Sequence, residues 1–286
     1  METVDRKQTV YDIVTAKICD ELEKGTVPWQ RPWVGGGQMP ANLITKRPYS
    51  GINPLLLSLS GYASPFWLTY KQAAAAGGQV RKGEKSTLVV FYAKLESKTR
   101  TKKDEAPETF SILRYYNLFN IGQCDNLDAL VPVLAENDTP PIEAAESIVA
   151  GYSDKPTIDG NAGAAWYSPN LDLLGMPARE TFTSADGYYS TLFHECIHST
   201  GHVSRLDRKG VGTKAVGYGS ATYSKEELIA ELGAAFLCAE AGIENTIEQS
   251  AAYCASWLQA LRGDSKLIVS AASGAGRAAR YITGKA

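Results

Sequence analysis

The chain has 286 residues, which is long enough to bury one large core or two smaller ones. Its 44% hydrophobic and 21% charged residues are ordinary for a globular protein, and no stretch approaches the ~18 uncharged apolar residues of a transmembrane helix. The net charge of −2 is far too small for a protein that mimics DNA with an acidic surface.

The two halves of the chain differ in charge. Residues 1–135 carry 17 Lys and Arg against 13 Asp and Glu, whereas residues 136–286 carry 12 against 18. We therefore predict two domains, 1–135 and 136–286, of which the first is better suited to a polyanion. Five cysteines without a C-x-x-C pair, and a charged start instead of an apolar signal core, indicate reduced thiols and a cytoplasmic protein.

The first half alternates helix and strand signals. Apolar residues spaced by three and four predict a helix over residues 4–24, and a proline-stiffened loop with two tryptophans follows it. Shorter helices are predicted over residues 53–59 and 70–76. Runs of β-branched and aromatic residues predict strands at 87–92 and 113–119, joined by a long exposed hairpin loop.

The second half is predicted to be mainly helical after a polar linker at residues 131–141. A strand is expected at 164–167. The predicted helices cover residues 142–152, Thr183 or Ser184 to Gly201, 224–242, 249–261 and 271–282. The whole chain is therefore assigned to the α+β class.

All three histidines of the chain fall within nine residues, as His194, His198 and His202. The first two belong to an H-E-x-x-H motif, which on a helix places two imidazoles one turn apart on one face. Glu195 is rotated by about 100° from His194 and is the expected general base for water attack. The motif predicts a Zn²⁺ site, with another divalent metal as an alternative.

A catalytic metal of this kind needs a third protein ligand. His202 lies a further turn along and is interpreted as a supporting or helix-terminal residue. The stronger candidates lie about thirty residues downstream, where Glu227 and Glu231 share one helix face. We favour Glu227 as the ligand, keep Glu231 as the alternative, and expect the other carboxylate to orient a ligating imidazole.

Other parts of a hydrolytic site are less well determined by the sequence. The group that stabilises the developing negative charge is a tyrosine, an arginine or backbone amides, and Tyr167, Tyr218 and Tyr223 are available. The strand at 164–167 offers an edge to an extended peptide, and the Gly-rich segment 203–222 is either a lid or a plain surface loop.

The first half interleaves aromatic and basic residues, the mixture that holds single-stranded nucleic acid. On composition alone most of these rings would be core or rim, but an ordered series of short strings narrows the interpretation. It consists of Pro28-Trp29, Asn42, Tyr49-Ser50-Gly51-Ile52-Asn53, Trp67-Leu68-Thr69-Tyr70-Lys71-Gln72, Val80-Arg81-Lys82-Gly83-Glu84-Lys85 and Tyr116-Asn117-Leu118-Phe119-Asn120.

This series resembles the N-terminal single-strand-binding domain of the ArdC-type antirestriction family, also found in TraC-like plasmid primases. The second half resembles that family's zincin-like metallopeptidase domain. Its matching runs are Tyr167-Ser168-Pro169 with Asp172, Met176-Pro177, the segment from His194 to His202, Arg205-Leu206, Tyr223 and the segment from Glu226 to Glu231. Cys196 is a minor departure, because members often carry an aliphatic residue there.

The resemblance implies a bacterial protein of a plasmid or mobile element that binds single-stranded DNA, largely without sequence preference. It would help DNA entering by conjugation to escape host restriction endonucleases, with a restriction-system component or another protein as a possible substrate and no membrane partner. The expected DNA-binding residues are Trp29, Trp33, Tyr49, Asn53, Trp67, Tyr70, Lys71, Arg81, Lys82 and Lys85. The alternative is a DNA-shielding protein whose metal site is structural or vestigial, although the intact Glu195 favours an enzyme.

Overall fold

The structure is a computed structural model that describes residues 8–29, 39–96, 109–132, 141–211, 221–245 and 251–285. These ranges contain eight α-helices and nine β-strands, numbered below in chain order, and the predicted α+β class is confirmed. The tip of the predicted hairpin loop and most of the predicted linker lie outside the described residues.

A four-stranded sheet organises the N-terminal half. Its strands are β1 (Ala41–Asn42), β2 (Phe66–Leu68), β4 (Thr87–Glu96) and β5 (Thr109–Asn120), in the spatial order β1-β2-β5-β4. β4 and β5 pair antiparallel with Thr87 opposite Leu118 and Glu96 opposite Thr109. The two predicted strands are therefore confirmed, and both are longer than their apolar runs. β3 (Gln79–Val80) and β6 (Cys124–Asp125) form a separate two-stranded sheet.

Three helices accompany this sheet: α1 (Val10–Glu23), α2 (Asn53–Ser58) and α3 (Tyr70–Ala75). α1 begins at a capping box in which Thr9 and Asp12 bond each other's backbone amides, and Thr69 and Gln72 do the same for α3. These side chains satisfy amides that have no partner within the helix and so fix the helix starts. α3 begins at its predicted residue, whereas α1 begins six residues later than predicted.

The C-terminal half is built on five helices and a small sheet. The helices are α4 (Pro141–Gly151), α5 (Ala185–Ser199), α6 (Ala221–Ala241), α7 (Ala251–Gly263) and α8 (Leu267–Thr283). β7 (Thr157–Asp159), β8 (Trp166–Ser168) and β9 (Leu173–Gly175) form a sheet in the order β7-β9-β8. β8 therefore lies at an edge of this sheet, two residues later than the predicted strand began.

α6 lies between α5 and α8, and small residues permit this close packing. A Cβ atom added to Gly233 of α6 would lie 2.7 Å from Ile197 of α5, and one added to Gly274 of α8 would lie 3.0 Å from Ile229 of α6. The middle of α8, from Ala271 to Ala279, buries only alanine and glycine residues, whose small size suits this close packing. None of the helices within the described ranges is both long and apolar enough to cross a bilayer.

The main hydrophobic core draws on both halves of the chain. Val14, Ile18 and Leu22 of α1 belong to the same buried cluster as the apolar faces of α5 to α8. Thr15 also donates its hydroxyl to the backbone oxygen of Ser265, at 2.8 Å. The charge difference between the halves thus does not correspond to separate cores, and the boundary at residue 135 stays a prediction, because residues 133–140 are outside the described ranges.

Candidate metal centre and nucleic-acid surface

α5 and α6 bring three metal-binding side chains to one point. Ser184 caps α5 by accepting from the amide of Gly187, and the helix then carries His194 and His198 on one face. Their Nε2 atoms lie 3.1 Å apart. The carboxylate of Glu227 on α6 places Oε2 3.6 Å from the His194 nitrogen and Oε1 3.6 Å from the His198 nitrogen. One ligand atom from each of the three residues fits within 4.8 Å of the others.

The electrostatics of this cluster favour a bound cation. Burial acts to lower the pKa of His198, but hydrogen bonds to Glu226 and Glu227 outweigh it and raise that pKa to about 10. Burial likewise acts to raise the pKa of Glu227, yet hydrogen bonds to both imidazoles hold it well below its usual range. The acidic surroundings thus draw positive charge to these imidazoles, and a divalent metal would supply that charge in place of a proton.

A second layer of side chains orients His198. Glu226, with its side chain 7% exposed, lies 3.4 Å from His198 Nδ1, so the imidazole presents Nε2 to the cluster. Arg208 holds Glu226 in place, with Nη2 2.6 Å from Oε1 and Nε 3.1 Å from Oε2. The same guanidinium donates to the backbone oxygen of Ile197 at 2.8 Å, which ties the ion pair to the end of α5.

Sequence patterns alone assign no role to Glu226 or Arg208 and predict that Glu231 orients an imidazole. In the structure Glu231 is 3% exposed and accepts a hydrogen bond from the Tyr253 hydroxyl at 2.8 Å. It is not one of the three clustered groups. The two adjacent glutamates, Glu226 and Glu227, were the sequence signal for this arrangement. Of two neighbouring helix positions, one can supply a metal ligand and the other can supply the residue that supports a second ligand.

Glu195 and His202, the other two residues that the motif singles out, are not among the three clustered groups. Glu195 is half-buried on α5 and is not among the three converging groups, as expected for a base that does not bind the ion. His202 follows the helix, and its Nδ1 lies 2.7 Å from the Ser204 hydroxyl, away from the cluster. The Nδ1 of His194 is buried and has no hydrogen-bond partner among the described residues.

A partly buried ion pair joins the end of α5 to the segment between β8 and β9, because Arg205 also donates to the backbone oxygen of Ser199. Arg205, with its side chain 3% exposed, binds Asp172 through two hydrogen bonds of 2.8 and 2.7 Å, and Tyr167 donates its hydroxyl to the same carboxylate at 2.8 Å. The Tyr167 hydroxyl is therefore committed to the fold. Tyr218 and the Tyr223 side chain, the other predicted oxyanion groups, lie outside the described residues, as do residues 212–220 of the predicted lid.

Three of the predicted DNA-binding side chains make contacts within the fold. Trp29 is 0% exposed in the main core, where its ring meets Trp257 edge-on, and Trp67 is 2% exposed. Neither indole has a free face on which a base can stack. The Asn53 amide exchanges two hydrogen bonds of 2.8 Å with the backbone of Val90 and so covers the free edge of β4. Trp33 lies outside the described residues.

The other predicted DNA-binding residues lie at separate places, on α3, on the turn before β4 and at Tyr49. Tyr70 is 58% exposed at the start of α3, next to exposed Lys71. The exposed cations of the turn before β4 are Arg81, Lys82 and Lys85, although Arg81 is paired with Glu84 and Asp125. Tyr49 is half-buried and lies 3.3 Å from the Asn42 amide. A nucleic-acid surface formed by these residues stays a prediction.

Both halves of the chain match families of known proteins. Residues 8–119 match the family described as the N-terminal domain of anti-restriction factor ArdC, and residues 143–274 match a family of zincin-like metallopeptidases. A DNA primase TraC of Escherichia coli is 37% identical over 96% of this chain, but the chain spans only 27% of that protein. The uncharacterized protein y4eC of Sinorhizobium fredii is 35% identical over 96% of this chain and 91% of its own length.

Two crystal structures of the antirestriction protein ArdC from plasmid R388 share this fold. The metal-free structure is 37% identical over 96% of this chain and 97% of its own, with a TM-score of 0.77, and the Mn(II)-bound structure has a TM-score of 0.76. The residues His194, His198 and Glu227 supply a donor set that fits a divalent metal. With this identity over nearly the full length of both chains, the protein belongs to the ArdC family of antirestriction proteins.

Proposed function

We propose that the protein is a zinc-dependent peptidase, and that it reaches incoming plasmid DNA by binding single-stranded DNA. The observation that carries the enzymatic part is the convergence of His194, His198 and Glu227 beside Glu195. Two imidazoles and one carboxylate form the protein ligand set of catalytic zinc sites that keep a position open for water or substrate. A structural site has no need of the carboxylate of Glu195.

In this proposal a metal held by His194, His198 and Glu227 would lower the pKa of a water molecule and polarise the scissile carbonyl. Glu195 accepts the proton of the attacking water and passes it to the leaving amine. Glu226 fixes the orientation of His198, and Arg208 keeps Glu226 ionised and in place. His194, Glu195 and His198 are positioned by α5 and Glu226 and Glu227 by α6, whereas Arg208 lies on the segment between the two helices.

The edge strand β8 supports a peptide as the substrate. β8 pairs with β9 on one side only, and it contacts α5, the helix that carries the histidines. An extended peptide that pairs with this edge would lie along the sheet beside the metal cluster. The Arg205–Asp172 pair and the Tyr167 hydroxyl hold the strand and the helix end together, so this arrangement is rigid.

The antirestriction role connects this site to DNA. Membership of the ArdC family and the basic character of the first half support binding of single-stranded DNA entering the recipient cytoplasm during conjugation. The peptidase would then act on a component of the restriction system close to that DNA. Binding should not depend on base sequence, because stacking and phosphate contacts occur with every base.

The test compares Glu195→Gln with the matched surface variant Glu240→Gln during plasmid transfer into restricting and non-restricting recipient cells. We expect Glu195→Gln to bind Zn²⁺ and Mn²⁺ like the wild type, because Glu195 is outside the ligand cluster. We expect it to lose protection in the restricting recipient, since removal of a general base slows catalysis about 10²- to 10⁴-fold. Glu240→Gln should protect fully. Full protection by Glu195→Gln would refute proteolysis and leave DNA shielding as the function.

A further inference from the structure

The pairing of β4 with β5 places aromatic side chains along one face of the four-stranded sheet. Residues opposite each other in an antiparallel pair share a face, and side chains two positions apart on one strand lie on that same face. Phe91 is opposite Arg114, and Val89 is opposite Tyr116. Tyr116 and Arg114 therefore follow each other on one face of β5, with Phe91 beside them on β4.

This aromatic row continues over a small buried cluster. The cluster consists of Leu57, Trp67, Val89 and Leu118, and the rings of Tyr49, Tyr62 and Tyr116 pack on it while staying partly exposed. Tyr62 meets Trp67 edge-on with ring centroids 5.6 Å apart, and Tyr116 meets Phe91 at 5.5 Å. The phenyl ring of Phe91 is 42% exposed, although a large apolar side chain is normally placed in the core.

The two faces of the sheet differ in what covers them. On the opposite face Val90 belongs to the main core, and Tyr92 lies with its hydroxyl 3.3 Å from that of Tyr11 on α1. The row face meets α2 through Leu57, and beyond that contact Phe91 and Arg114 stay exposed. Tyr115, 51% exposed, points to the α1 side, so it has a comparable exposure without belonging to the row.

Cationic side chains lie at both ends of the row, although Arg81 at one end is paired with Glu84 and Asp125. Arg114 stands at the Phe91 end, is exposed, and makes no ion pair among the described residues. At the Tyr62 end, a Cβ atom on Gly122 would lie 4.0 Å from the Tyr62 ring, and Arg81 donates to the backbone oxygen of Gly122. Lys82 and Lys85 follow on the same exposed turn.

We propose that Tyr62, Tyr49, Tyr116 and Phe91, flanked by Arg114 and the cations of residues 81–85, form the base-stacking path for single-stranded DNA. Aromatic faces between cations match a strand whose bases are exposed and whose phosphates are negative, and this complementarity selects the single strand over a duplex with its bases paired inside. The inference rests on the proposed DNA-binding function and names its surface. It replaces the buried Trp29 and Trp67 with side chains that a base can reach.

The experiment measures fluorescence anisotropy of a labelled oligothymidylate with the full chain, over a series of salt concentrations. Phe91→Ala and Tyr116→Leu should each weaken binding at least about fivefold, because each removes one stacking ring. Arg114→Gln should reduce the slope of log affinity against log salt by about 0.7, the value for one phosphate contact to a single strand. The control Tyr115→Ala, with a similarly exposed ring on the other face, should bind like the wild type.

The outcomes separate the two proposals. If the wild type does not bind the oligonucleotide, or binds duplex DNA equally well, the proposed DNA-binding function is wrong and the path falls with it. If the wild type binds and the Phe91 and Arg114 variants bind equally well, the path alone is refuted and the surface lies elsewhere. Phe91 and Arg114 are exposed, so their variants keep the test valid even if Tyr116→Leu fails to fold.

Discussion

Replacement of Glu226 by glutamine tests the support beneath the metal centre. Glu226 and Arg208 are 7% and 10% exposed, and they pair through contacts of 2.6 and 3.1 Å. Removing one partner of a buried pair costs about 3–5 kcal/mol. Glutamine keeps one oxygen acceptor, and Arg208 still donates to Ile197 and Thr200. We therefore expect the free energy of unfolding of the metal-free protein to fall by about 3 kcal/mol, the lower end of that range.

The same substitution should weaken metal binding. Glu226 lies 3.4 Å from Nδ1 of His198, and loss of such a supporting carboxylate lowers metal affinity about 10- to 100-fold. That loss corresponds to about 1.4–2.7 kcal/mol of binding free energy. Urea unfolding in the presence of a chelator measures the first effect, and calorimetric titration with Zn²⁺ or Mn²⁺ measures the second.

The control is Glu240→Gln, which removes an exposed ion pair with Lys285. Its effect on unfolding should stay within about 0.5 kcal/mol. If Glu226→Gln unfolds at the same urea concentration as Glu240→Gln and binds metal like the wild type, then Glu226 neither compensates Arg208 nor orients His198, and the reasoning is refuted.

Two further predictions concern packing and pH. Gly233→Ala should lower the free energy of unfolding by about 1–2 kcal/mol, because overpacking against Ile197 outweighs the gain in helix propensity. Gly263→Ala, whose Cβ atom meets open space, should be neutral or stabilising, and equal effects in the two variants would contradict this account. For Asp172, the hydrogen bond from Arg205, then that from Tyr167, holds the pKa of the carboxyl below its usual range against the opposing effect of burial. The resulting stabilisation is present above about pH 4 and is lost as the pH falls through the lowered pKa. Asp172→Asn should therefore destabilise the protein most at neutral pH, and a difference in urea midpoint that stays constant from pH 7 down to about pH 2 would show that this carboxylate does not act through its charge.

The positions of most helices and strands follow from short stretches of the sequence. Thr9 with Asp12, Thr69 with Gln72, and Ser184 are capping residues whose side chains bond the first amides of their helices, so helix starts are encoded within a few neighbouring residues. The spacing of His194 and His198 likewise fixes their common face. Runs rich in β-branched, aromatic and apolar residues predicted the strands at 87–92 and 113–119, because strand preference is also a property of neighbouring residues.

The tertiary structure decided which side chains meet. Trp29 looked like a stacking residue on a loop, but packing against Trp257, 228 positions later in the chain, buries it, and no local pattern contains that contact. α5 and α6 pack closely at Gly233, and this brings Glu226, about thirty positions away in the chain, within hydrogen-bond distance of His198. Arg208, from the segment between the two helices, then pairs with Glu226. The aromatic row on β4 and β5 depends on strand register. The sequence by itself determined most of the elements and the H-E-x-x-H motif. Burial, register and helix packing determined which residues surround His194 and His198 and which aromatic and basic side chains stay exposed, because those properties arise only from contacts between distant segments.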